Sequence, residues 1–81
     1  MERGVIRITD EHMTLIFDGH VIAHAYMSQD AWIVSSYPER MFTRNQAITA
    51  LSLCERITAG YPDDDVFVMG WRSELCLGRG M

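Results

Sequence analysis

Residues 43–60 read Thr-Arg-Asn-Gln-Ala-Ile-Thr-Ala-Leu-Ser-Leu-Cys-Glu-Arg-Ile-Thr-Ala-Gly, and no other stretch constrains the fold as tightly. Thr43 followed three residues later by Gln46 forms a capping box, which satisfies two backbone donors left free at a helix start. Ala47, Ala50, Leu51, Cys54 and Ile57 recur at helical spacing, and Ile48 and Leu53 widen that stripe. Gly60 can take the left-handed conformation that closes a helix, and Pro62 stops the helix from resuming. The pattern predicts one amphipathic helix. Phe42, just ahead of the cap, is placed to pack on Ala47 as a hydrophobic staple.

The segments around this helix read as strands. Val5 to Ile8 is a short β-branched run, and His12 to Phe17 follows with Leu15, Ile16 and Phe17. Asp18-Gly19 suits a two-residue type I′ turn, whose central residues both need positive φ. A continuous ladder from that turn pairs Phe17 with His20, Leu15 with Ile22 and Met13 with His24 on one side of the sheet. Ile16 with Val21 and Thr14 with Ala23 fall on the other. The return strand runs from His20 to about Met27, Ser28-Gln29-Asp30 turns, and Ala31 to Ser36 forms the next strand. Tyr37 to Arg40 leads to the helix.

Beyond the helix, Tyr61-Pro62-Asp63-Asp64-Asp65 reads as a polar loop and Val66 to Trp71 as an apolar run of strand length. Residues 75–81 read as a frayed tail. The expected fold is α+β, in a single domain over residues 1–81: an antiparallel meander of three to four strands, one helix packed on it, then a final strand.

That order creates a shortage of cover. A helix of about 17 residues is ~25 Å long and ~10 Å wide. Four or five strands spaced at ~4.8 Å make a sheet ~19–24 Å across. Yet Ile16 opposes Leu15 and Phe17, Ile33 opposes Trp32 and Val34, and Phe67, Met69 and Trp71 oppose Val66 and Val68. Strands apolar on both sides need cover on both sides. The second cover is either another copy of the chain or a different protein, and Trp32, Phe67, Met69, Trp71 and Tyr26 are the expected partner-binding residues. Six methionines make such a surface adaptable.

Composition narrows the chemistry. The net charge is −4 and all seven basic residues are arginine, without a basic stripe, which argues against nucleic acid as a partner. No apolar run reaches the ~20 residues that cross a bilayer, and the N-terminus leads into no signal-peptide core, so a cytoplasmic location is expected. Cys54 and Cys76 fit neither a disulfide framework nor a zinc site, and both read as reduced thiols. His20 and His24 would lie ~13 Å apart along a strand, too far for one ion, and His12 is expected on the opposite side from His24. The three consecutive aspartates lack the spaced ligands of a calcium loop. Neither a phosphate-binding glycine loop nor a nucleophile elbow is present. No catalytic, metal or cofactor site is expected, and the chain does not read as an enzyme.

Asp18-Gly19-His20-Val21-Ile22, Ala31-Trp32-Ile33-Val34 and Phe42-Thr43-Arg44-Asn45-Gln46-Ala47-Ile48-Thr49-Ala50-Leu51 together resemble small β-β-β-α orphan proteins of actinobacteria and their bacteriophages. The resemblance covers about residues 12–59 and carries no catalytic signature. Most such proteins have no assigned activity, and the resemblance implies a host-directed accessory protein for phage members. With the shortage of cover, the expectation is a small non-enzymatic protein-binding module, a homodimer and a phage-encoded modulator of a host protein in the host cytoplasm. The same element order is similar to HicB-type antitoxin domains, although the Gly-Cys element common before that family's helix is missing. That similarity implies, as the alternative, an antitoxin-like or nucleic-acid-associated regulator.

Overall fold

The computed structural model describes residues 4–75. Five strands, β1 (Gly4–Ile8), β2 (His12–Phe17), β3 (His20–Ser28), β4 (Ala31–Val34) and β5 (Tyr37–Phe42), form one antiparallel sheet in the order β1-β2-β3-β4-β5. Two helices follow, α1 (Arg44–Thr58) and α2 (Val66–Glu74). The expected α+β meander is present, with five strands in place of three to four and two helices in place of one helix and a final strand.

α1 starts and stops where its signals lie. The Thr43 hydroxyl accepts from the Gln46 N–H at 3.2 Å, and the Gln46 side chain accepts from the Thr43 N–H at 2.9 Å. Gly60 has φ +100, beyond the C-cap Ala59. Ala47, Ala50 and Leu51 are buried against the sheet layer, and α1 touches all five strands. The opposed residues are Met13, Leu15, Ala23, Ala25, Trp32, Val34 and Phe42, all buried. Leu53 lies about 110° round the helix from the centre of that stripe. It is nonetheless fully buried, which requires a second partner, and α2 is the element that packs there.

The final strand expected over Val66 to Trp71 is therefore a correction, because this segment is the first part of α2. The Asp65 carboxylate accepts from the N–H groups of Phe67 at 3.0 Å and Val68 at 3.1 Å and so starts the helix. Val68 and Leu75 are buried and Trp71 is partly so, a spacing that matches one helical stripe and no strand. The cap and this packing override the β preference of Val66, Phe67 and Val68. Leu75, at the head of the expected tail, is the buried C-cap of α2, and the rest of that tail lies outside the described residues.

The other corrections concern the sheet. Residues 37–42, expected as a connector, form edge strand β5, which tolerates Pro38 because an edge position needs no N–H. Asp18 (φ 54) and Gly19 (φ 80) make the expected tight turn, and Phe17 pairs with His20 and Ile16 with Val21. There the ladder shifts. Ile22 is an extra residue on β3, so Leu15 pairs with Ala23, Thr14 with His24 and Met13 with Ala25. The unshifted register would have put His24 beside the fully buried Met13, where its imidazole would lose water without a replacement hydrogen bond. The bulge instead places two small alanines beneath α1 and turns His24 to the other side.

Candidate functional site

With both helices on one side, the described part of the molecule is a sheet covered once. Its extents are 37 × 33 × 16 Å, and the short dimension accommodates a single helical layer on the sheet. Among the described residues no element lies over the opposite side. From β1 to β4 that side presents Val5, Ile16, Val21, Ile22, Tyr26 and Ile33, with Arg7, His12, Thr14 and His24 among them. Val5 and Val21 are 57% and 61% exposed. Arg7 is the one full charge in this set; Val5, Ile16, Val21 and Ile22 lie together at one end of it, and Ile33 lies beside Tyr26.

The bulge gives this side its polar centre. His12 and His24 have ring centroids 5.9 Å apart, and His24 stacks with Tyr26 at 6.2 Å and an interplanar angle of 25°. The Thr14 hydroxyl lies 3.3 Å from His12 Nδ1. The sequence places His12 and His24 on opposite sides, and the one-residue shift in β3 brings them together. Two imidazoles and a phenol make a flat, amphipathic row. Among the described residues no group of three or more His, Cys, Asp or Glu is arranged to hold a metal ion.

The five expected partner-binding residues do not share a surface. Tyr26 is on the bare side of the sheet. Trp32 is buried beneath α1. Phe67 and Met69 are exposed on α2, in the helical layer, and Trp71 is half-buried with its ring centroid 5.7 Å from that of Phe67. The residues that sequence reasoning left out of the bare surface are Val5, Ile16, Val21 and Ile33. Their alternation with Ile6, Leu15, Ala23 and Val34 was the signal that could have found them, once the bulge is allowed for.

A second cluster ties α2 down. The Arg56 guanidinium lies 4.0 Å from the Tyr61 ring centroid and 4.6 Å from that of Phe67, and Arg56 Nε donates to Asp65 Oδ2 at 2.9 Å. Burial tends to raise the Asp65 pKa, but the hydrogen bonds from Val68, Arg56 and Phe67 outweigh it and hold this carboxyl below its ordinary value. Across the layer, Arg40 Nη2 donates to the Leu75 carbonyl at 3.0 Å. Burial, and secondarily the nearby Cys54 thiol, raise the Tyr37 pKa against the pull of Arg72. Ser36 Oγ and Cys54 Sγ are 3.0 Å apart. These contacts have a structural purpose, fixing the helices to each other and to the sheet margin.

No described helix is long and apolar enough to cross a membrane. The chain matches no protein-family model, no curated protein and no solved structure.

Proposed function

We propose that this chain is a small non-enzymatic protein-binding module that acts through the bare side of its sheet and self-associates. The observation that carries this reading is the uncovered apolar surface of Val5, Ile16, Val21, Ile22 and Ile33, with the imidazole and phenol row at its centre. Exposed apolar residues gathered around a few polar groups are characteristic of interaction sites. Tyr and His give such a surface directional contacts at small entropic cost. The resemblance to orphan proteins of actinobacteria and their bacteriophages makes a host protein the first partner to seek.

Capture from an actinobacterial lysate tests the reading when three forms of the bait are compared. The wild-type chain should retain one protein, Val21→Glu should lose it, and Met69→Glu, altered on exposed α2, should keep it. Equal capture by all three forms contradicts the assignment to the sheet. Recovery of nucleic acid, with binding that falls steeply as salt rises, would favour a nucleic-acid-associated regulator instead.

A further inference from the structure

β1 and β5 end the sheet, and one of these two edges is guarded. On β5, Pro38 lacks an N–H, the ladder with β4 shifts between Trp32 and Val34, and Arg40 is drawn across to the Leu75 carbonyl. Proline and irregular pairing are devices that keep edge strands from recruiting other strands. β1 has neither. Gly4–Ile8 pairs with β2 residue for residue, contains no proline and carries a single charge, Arg7.

Its outward backbone groups follow from alternation. The Thr9 N–H donates to the His12 carbonyl at 2.8 Å, which directs Thr9, Arg7 and Val5 toward β2. Ile6 and Ile8 then point their N–H and C=O groups away from the sheet. Gly4 shares that outward side, and its N–H donates to the Glu55 carboxylate of α1 at 3.1 Å. Among the described residues no strand meets Ile6 and Ile8. What fits such an edge is another extended strand.

We propose that β1 pairs antiparallel with β1 of a second copy, about a two-fold axis through Ile6. This rests on the self-association proposed above and specifies its route. Ile6 exchanges hydrogen bonds with its counterpart, the Ile8 N–H reaches the Gly4 carbonyl of the second copy, and Glu55 keeps the Gly4 N–H. Val5 comes to lie opposite Arg7 of the second copy. Centring the axis on Arg7 instead would set two guanidinium groups face to face, which like-charge repulsion disfavours. The axis through Ile6 stands perpendicular to the sheet, so both helical layers lie on one side and both bare surfaces on the other. Two five-stranded sheets become one of ten strands. Self-association then extends the binding surface and leaves it free for a different protein.

Light scattering across a range of concentrations, with residue-resolved hydrogen exchange on the full chain, tests this. The wild-type mass should double as concentration rises, while the Ile6 and Ile8 amides slow. Ile8→Pro removes an outward N–H and should stay monomeric. Val5→Arg faces Arg7 twice per dimer and should weaken association about tenfold, whereas Val5→Glu should not. Val21→Glu should dimerise like wild type. Equal loss in Val5→Arg and Val5→Glu overturns the edge pairing. A dimer that survives Ile8→Pro and is lost in Val21→Glu also overturns it, placing association on the sheet face and leaving the self-association reading intact. A monomer at every concentration overturns both.

Discussion

Thr43 and Asp65 start the two helices by the same device, a side-chain oxygen that accepts backbone N–H groups of the first turn. Thr43 also receives the reciprocal bond from Gln46, so Thr43→Ala should lower stability by about 1 kcal/mol, read from denaturant unfolding. Asp65 adds a charge, and with it a pH dependence. Its folded pKa lies below the unfolded one, so its contribution is complete above the unfolded pKa and is lost as pH falls through the folded value. Asp65→Asn retains an acceptor oxygen but cannot titrate. Unfolding midpoints followed from neutral to acidic pH should therefore fall less steeply in Asp65→Asn than in wild type. Superimposable profiles would show that Asp65 plays no part in the acid response.

At the scale of elements, the helix-forming stretch and the turns were legible because each is written in adjacent residues. The capping box and the Asp18-Gly19 turn need no tertiary context. α2 was not legible as a helix, because Val66, Phe67 and Val68 favour strands and Gly70 favours no helix interior. Only Asp65 and the spacing of Val68, Trp71 and Leu75 spoke for it. The bulge was hidden for a different reason: what drives it is the exclusion of His24 from the core, a property of the assembled layers. Gly70 has open space where a Cβ would stand and lacks a positive φ, so Gly70→Ala should raise stability by roughly 0.5–1 kcal/mol. Leu53 is fully buried, and Leu53→Ala should cost about 2–5 kcal/mol. Both changes are measurable by chemical denaturation. A neutral Leu53→Ala would mean that the two helices do not pack through this residue.

For the molecule as a whole, the order of elements puts every described helix on one side of the sheet. The shortage of cover was legible only in part: Ile16 and Ile33 do face away from the helices, but Val66 to Trp71, the third segment read as apolar on both sides, is α2. Where the exposed apolar residues would gather was less so. Trp32 went inside, and Phe67 and Met69 went to α2 with the lost final strand. The claim on which the proposed function depends is that Val5, Ile16, Val21 and Ile33 face solvent in the free chain. Relaxation of methyl signals by a soluble paramagnetic chelate measures that directly. The Val5 and Val21 methyls should relax nearly as strongly as those of Val66, which is 79% exposed, and far more than those of Val34, at 0%. Val5 and Val21 methyls as protected as those of Val34 would mean that the sheet is covered on both sides, and the binding surface would not exist.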